Sequence, residues 1–213
     1  SAIWVTPVND RGDSNGYGNL GIHTIDPQLT GTADYEEGWQ VFKKFVQQAH
    51  DRHIRVFLDV VTWGATGTTP LKDEHPDWFR MDENGSRTAH LNFCRTNGAA
   101  LEIVAERAAM LAKKLYRSAP NYYFWLDDTQ DKYCTCKGCS RLSMSDQQML
   151  VMNAMVKKLR AAIPGAKLCF LAYHGTEKPP VQIKPVEGVF LEYAPMDRDF
   201  SAPASAVSQE AKD

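Results

Sequence analysis

Short runs of β-branched, aliphatic and aromatic residues alternate with amphipathic helical stretches along most of this chain, and that alternation constrains its fold more than any other feature. Six runs read as strands: Ile3–Val8, Arg55–Trp63, Leu91–Cys94, Tyr122–Asp127, Lys167–His174 and Val189–Ala194. Asp34 or Thr32 caps a first helix, through about Arg52, with Trp39, Phe42, Val46 and Ala49 on one face. Asn97 caps a second, to about Arg117, with Leu101, Val104, Ala108, Leu111 and Leu115 at helical spacing. Ser143 or Ser145 opens a third, which places Met149, Met152, Val156, Leu159 and Ile163 in register and ends at Pro164-Gly165. The methionines of that face read as core filler.

Alternating strands and helices imply parallel strands joined by crossover helices. A doubly wound sheet and a (β/α)8 barrel both satisfy the pattern. No G-x-G-x-x-G turn follows a strand, and the polar residues instead collect at strand C-termini, where barrel enzymes build their sites. The expected fold is therefore α/β, of the (β/α)8 TIM-barrel type and incomplete, with six parallel strands identifiable. A complete barrel takes about 250 residues, and this chain has 213. Residues 1–200 read as a partial barrel and 201–213 as a polar tail or linker. An open barrel edge exposes unpaired backbone, so either the chain is a piece of a longer protein or a partner copy in a homo-oligomer covers that edge.

Charge narrows the partners. Lys and Arg total 24 against 26 Asp and Glu, a formal charge of −2. Nucleic-acid binders carry a basic excess, so none is expected here. No apolar run reaches the ~18 residues of a membrane-spanning helix. No signal peptide stands at Ser1, which leaves the compartment unknown and a secreted or periplasmic location open.

Strand alternation assigns faces to the polar residues. In Tyr122–Asp128 the set Tyr122, Phe124 and Leu126 suits the helix side, which turns Asp127 toward the barrel mouth with Tyr123 and Trp125. In Val189–Tyr193, Val189 and Leu191 face helices and Glu192 faces the mouth. In Arg55–Trp63, Asp59 and Trp63 share the inward face. Carboxylates from separate strands beside Trp and Tyr suit glycoside hydrolysis, in which one carboxyl protonates the leaving oxygen and a second acts as base or nucleophile. The expected catalytic residues are Asp127, Asp128 and Glu192. In one arrangement Asp127 or Asp128 is the acid opposite Glu192. In the other, Asp127 and Asp128 divide the work, one orienting a substrate N-acetyl group and the other serving as acid. Trp63, Arg95, Trp125, Tyr173, His174 and Tyr193 are the expected sugar-binding residues, and an oligosaccharide or glycoside is the expected partner. The rival reading is a non-catalytic carbohydrate-binding or scaffold barrel, or an inactive barrel fragment or chimera.

Cys134-x-Cys136-x-x-Cys139 follows directly, and Cys94 ends another predicted strand. Four thiolates at such spacing suit a structural zinc ion; two disulfides are the alternative, favoured by export. Either would staple the loop beside Asp127 and Asp128. Cys169, inside an apolar run, reads as core. Asp82-Glu83-Asn84-Gly85 reads as a turn, and Arg11-Gly12-Asp13 carries little weight.

Two resemblances attach to these residues. Residues 2–88 resemble the alpha-amylase superfamily of barrel glycosidases, through Ala2-Ile3-Trp4-Val5-Thr6-Pro7-Val8, Gly16-Tyr17-Gly18, Thr24-Ile25-Asp26-Pro27, the strand at Arg55–Val61 and His75-Pro76-Asp77-Trp78-Phe79. Thr62 and Trp63 stand where that superfamily has Asn and a nearby His, and its G-x-R-x-D nucleophile strand is absent. Residues 91–198 resemble an uncharacterised bacterial barrel domain of carbohydrate-active proteins, similar in layout to hexosaminidase and alpha-glucuronidase barrels. That match rests on Asn92-Phe93-Cys94-Arg95, Phe124-Trp125-Leu126-Asp127-Asp128, the cysteine motif, Asp146-Gln147-Gln148, Leu171-Ala172-Tyr173 and Phe190–Pro195. The resemblance implies that Asp127-Asp128 is the acidic pair ending a fourth barrel strand. The two stretches meet near 89–91, a candidate junction between barrel segments.

Overall fold

The computed structural model describes residues 1–5, 8–11, 19–58, 70–114, 120–126, 132–195 and 201. The chain divides into two compact units, Ser1–Gly67 and Thr68–Asp213.

In the first unit, β1 (Ala2–Val5) is followed by β2 (Asn9–Arg11) and β3 (Asn19–Ile25). A short α1 (Pro27–Thr30), α2 (Tyr35–His50) and β4 (Arg55–Leu58) complete it. β1 and β4 pair in parallel, Ala2 opposite Arg55, as a strand–helix–strand unit requires. The Asp34 carboxylate accepts the Glu37 amide at 2.8 Å, so the capping residue read from sequence begins α2. Of its predicted inner face, Ala49 is buried and Trp39, Phe42 and Val46 are half-buried. The antiparallel pair β2–β3 has no counterpart in the predicted strands; its bulged register breaks the clean alternation by which strands are recognised.

The second unit opens with α3 (Pro70–Glu74), β5 (Phe79–Met81), β6 (Arg87–Phe93) and α4 (Gly98–Lys114). It continues with β7 (Asn121–Tyr122), α5 (Met144–Ala162), β8 (Lys167–Ala172) and β9 (Val189–Tyr193). β7, β8 and β9 form a parallel sheet in that order. One predicted strand departs from the barrel scheme. Leu91–Phe93 belongs to an antiparallel hairpin with β5, not to a parallel crossover unit. Its cause lies in the Asp82–Ser86 turn: the Asp82 carboxylate accepts the Asn84 and Ser86 amides at 2.9 and 2.8 Å, and Gly85 adopts φ +80°. The strand pairs are thus mixed α/β with parallel elements, and the described pairings do not close into a ring.

The core of this unit lies between α4, α5 and the sheet. Ala105, Ala108 and Ala112 line one side of α4, and their small side chains let it sit close against α5. From α5 come Met149, Met152, Met155, Val156 and Leu159, and from β8 Leu168, Phe170 and Ala172. Phe124, Leu126 and Val189 pack against this cluster, which is the helix-side placement expected from alternation. Leu191, expected on the same side, is 66% exposed. Among the described residues, no helix is long and apolar enough to cross a membrane.

α5 begins with a reciprocal cap. Ser143 Oγ accepts the Asp146 amide at 3.0 Å, and Asp146 Oδ2 accepts the Ser143 amide at 3.3 Å. The helix stops at Ile163, and Gly165 takes φ +80°.

Candidate functional site

The four cysteines of the sequence motif converge. The sulfurs of Cys94, Cys134, Cys136 and Cys139 all lie within 4.8 Å of one another, so the group could hold a metal ion. Cys94 Sγ is 3.6 Å from Cys136 Sγ and 4.0 Å from Cys139 Sγ. All five cysteines of the chain are free thiols, so the disulfide alternative is not realised; a disulfide brings its sulfurs to about 2.05 Å. The cluster is buried, with Cys139 at 0% exposure. Met81 is the partly buried side chain packed against it.

Three chain segments build this pocket. The β5–β6 hairpin contributes Cys94 just past its end, with the Cys94 amide donating to the Trp78 carbonyl at 2.8 Å. The 132–142 loop contributes the other three, crossing the hairpin through Thr135, whose amide donates to the Met81 carbonyl at 3.0 Å. The first turn of α5 closes the back: Gln147 Nε2 donates to the carbonyls of Cys134 and Cys139 at 3.3 and 3.1 Å. Polar groups also reach the sulfurs. The Met81 amide is 3.4 Å from Cys134 Sγ, Thr96 Oγ1 is 3.2 Å from Cys139 Sγ, and Arg87 Nη1 is 3.9 Å from Cys134 Sγ. With sulfurs this close, the thiols split their proton affinities. Hydrogen bonds from Cys134 and Cys139 hold Cys94 far below the usual thiol range. Cys139, hydrogen-bonded to Cys134 and Cys94, is pushed far above it.

Gln147 is one of four adjacent buried polar side chains, Ser145 to Gln148, at the start of α5. Asp146 Oδ1 accepts the amides of Gln182 and Ile183, both at 2.8 Å. Gln148 Nε2 donates to the Leu171 carbonyl near the end of β8 at 2.9 Å, and its Oε1 accepts the Tyr133 hydroxyl at 3.4 Å. The Tyr133 ring in turn lies under the Arg95 guanidinium, 4.4 Å from its centroid. Arg95 is fully buried.

The strand ends carry the second set of predicted residues. Leu168, Phe170 and Ala172 of β8 face the helix-packed core, so Cys169 and Leu171 occupy the opposite face. On β9, Phe190 and Glu192 share that face, being in register with Cys169 and Leu171. Cys169 donates to Glu192 Oε2 at 3.2 Å. Burial, then the Glu192 carboxylate, pushes the Cys169 thiol up to about 12, so it remains a proton donor at neutral pH. The Trp125 indole lies near the same thiol and acts on it in the opposite sense, lowering its proton affinity, and the Tyr123 ring meets Phe190 edge-on at 5.5 Å. The structure therefore brings together Trp125, Cys169 and Glu192. Cys169, read from sequence as core, is the thiol that holds Glu192. The alternation of Leu168, Phe170 and Ala172 already carried that signal.

Other predicted sugar-binding residues are placed as follows. Tyr173 continues β8 in extended conformation and stacks edge-on against His174 at 4.1 Å. His174 opens a tight turn with φ +46°, a backbone region costly for a residue with a Cβ. Thr176 stabilises the turn by donating its hydroxyl to the Leu171 and Tyr173 carbonyls at 3.0 and 2.8 Å. Tyr193 is in register with Ala172, so it lies on the face opposite Glu192 and is 54% exposed. Alternation within β9 puts it there, away from the residues it was expected to join. Asp127, Asp128, Asp59 and Trp63 lie outside the described residues.

The second unit is thus a parallel three-stranded sheet backed by helices, with a buried four-cysteine cluster between the β5–β6 hairpin and the loop that enters α5. The chain belongs to the family described as Domain of unknown function (DUF4838), whose model matches residues 33–212. Among curated proteins it is similar to Alpha-amylase SusG of Bacteroides thetaiotaomicron, 26% identical over 114 residues, which is 53% of this chain and 14% of that protein. It is also similar to Alpha-1,4-glucan:maltose-1-phosphate maltosyltransferase of Bifidobacterium animalis subsp. lactis, 40% identical over 80 residues, 37% of this chain and 10% of that protein. The chain thus spans a small fraction of the length of these relatives. Of the solved structures, an alpha-amylase from Lactobacillus plantarum aligns over 79% of this chain and 36% of its own, at 17% identity and a TM-score of 0.43. An alpha-amylase from Geobacillus thermoleovorans, complexed with acarbose, aligns over 81% and 36%, at 18% identity and a TM-score of 0.45.

Proposed function

We propose that this chain is part of a (β/α)-barrel domain that hydrolyses glycosidic bonds of an oligosaccharide at its strand ends. The observation that carries the reading is the β9 carboxylate: Glu192 is held at the strand end by Cys169, on the face that also carries Phe190 and beside Trp125. A carboxylate positioned by a protonated donor and flanked by aromatic rings suits a group that acts on a pyranose. Asp127 and Asp128, the residues that follow Leu126, are the proposed acid and its partner, either opposite Glu192 or as a pair that orients an N-acetyl group. The distant sequence similarity to the alpha-amylase and the maltosyltransferase supports a carbohydrate-active domain.

The test is turnover of a panel of aryl glycosides that includes α-glucosides, N-acetylhexosaminides and uronides. One class should be cleaved, and Asp128→Asn should lower that rate by about 10²–10⁴-fold, the range set by loss of a general acid. Glu192→Gln distinguishes the two arrangements: it abolishes turnover if Glu192 is the second carboxylate and has a smaller effect if Asp127 and Asp128 act as the pair. Saturable oligosaccharide binding without turnover would replace the reading with a carbohydrate-binding module. The absence of both binding and turnover would overturn it.

A further inference from the structure

We propose that Cys94, Cys134, Cys136 and Cys139 bind one zinc ion in a closed tetrahedral site, and that this ion joins the β5–β6 hairpin to the loop leading into α5. The inference is independent of the carbohydrate reading. Four thiolates about 2.3 Å from a tetrahedral zinc stand about 3.8 Å from one another. The Cys94–Cys136 and Cys94–Cys139 sulfur separations of 3.6 and 4.0 Å bracket that value, and no pair exceeds 4.8 Å. An iron–sulfur cluster places its cysteines on different irons, which demands more room than these sulfurs leave.

The surroundings are built for thiolates rather than thiols. Zinc with four thiolates carries a net charge of −2, and buried charge of that kind needs donors around it. Thr96 Oγ1 against Cys139, the Met81 amide against Cys134 and the Arg87 guanidinium near Cys134 supply them. The loop is drawn tight: a Cβ on Gly138, between Cys136 and Cys139, would stand 2.6 Å from Thr96 Oγ1, so a larger residue there would push aside the Thr96 side chain that touches Cys139. Four protein ligands leave no open position, so the ion is architectural. Because Cys94 is 40 residues in sequence from its nearest ligand partner, zinc binding is coupled to formation of the fold.

The experiment is elemental analysis of the full chain purified with reductant and without chelator, followed by exchange with cobalt(II). One zinc per chain is expected, and the cobalt form should show the intense visible bands and sulfur-to-cobalt charge transfer of a tetrahedral four-thiolate site. Thr96→Val, which removes a donor without touching a ligand, should weaken zinc affinity by about 10-fold or more. Cys169→Ser should keep the metal, since Cys169 lies outside the cluster. If Cys139→Ser fails to fold, thiol titration of the parent chain decides: one zinc should be released as four thiols are modified. Zinc well below one per chain, iron in its place, two disulfides found by mass, or zinc retained undiminished by a soluble Cys139→Ser would each overturn the proposal.

Discussion

Asp146→Ala is expected to destabilise the 68–213 unit by about 3–5 kcal/mol, because it leaves several buried donors without an acceptor at ~1–3 kcal/mol each. The Asp146 side chain is 0% exposed and accepts the Gln182 and Ile183 amides on one oxygen and the Ser143 amide and hydroxyl on the other. Burial opposes its charge, but the hydrogen bonds from Ser143, Ile183 and Gln182 outweigh burial and hold the carboxyl below the usual range. The sign of the pH dependence follows. A carboxyl with a depressed folded-state pKa contributes stability that is fully present above its unfolded value of about 3.9, and that is lost as pH falls through the folded value. Urea unfolding at pH 7 and in a series below pH 4 should therefore show acid destabilisation in the parent chain, and less of it in Asp146→Asn. Equal acid sensitivity in both would show that other carboxyls govern it.

The second large effect is expected at Leu159. This α5 side chain is fully buried in the core that α5 shares with the alanines of α4 and with β8. Leu159→Ala should cost about 2–5 kcal/mol, because it removes a fully buried branched side chain and leaves a cavity in the core. Met110→Ala is the comparison: at 50% exposure on α4, it should change stability by no more than about 0.5 kcal/mol. Thermal or denaturant midpoints of the two variants check the ranking, and similar losses in both would mean that α4 and α5 are not packed as described.

Local physics made much of this structure legible in the sequence. Asp34, Asn97 and Ser143 each stand at a helix start, where a short side-chain oxygen takes a first-turn amide. The α5 face from Met149 to Ile163 is buried as its spacing requires. The cysteines gather as their motif implied. What escaped was long-range. Leu91–Phe93 has the composition of a parallel strand, but its partner is decided by the turn at Asp82–Ser86 and not by its own residues. β7 is shorter than its apolar run: among the described residues the paired stretch stops at Tyr122, opposite Leu168 of β8. Thr96, Arg87 and Gln147 reach the cysteine cluster from three segments, and no spacing rule connects them to it. Tyr193 illustrates the opposite case: alternation within β9 already separated it from Glu192, and aromatic character alone had grouped them.

Asp146, Gln147 and Gln148 have a consequence for how this end of the domain moves. Asp146 grips the 182–183 backbone, Gln147 the cysteine loop, and Gln148 the end of β8 together with Tyr133 of that same loop. All three project from one turn of one helix, so a slight rotation of α5 loosens every grip together. The segments around the strand ends then share one opening event, and their slow amides should exchange with solvent as a single cooperative unit. Freedom in one loop is available only at the expense of order in the others, so a binding event that stiffens any of them stiffens the whole rim.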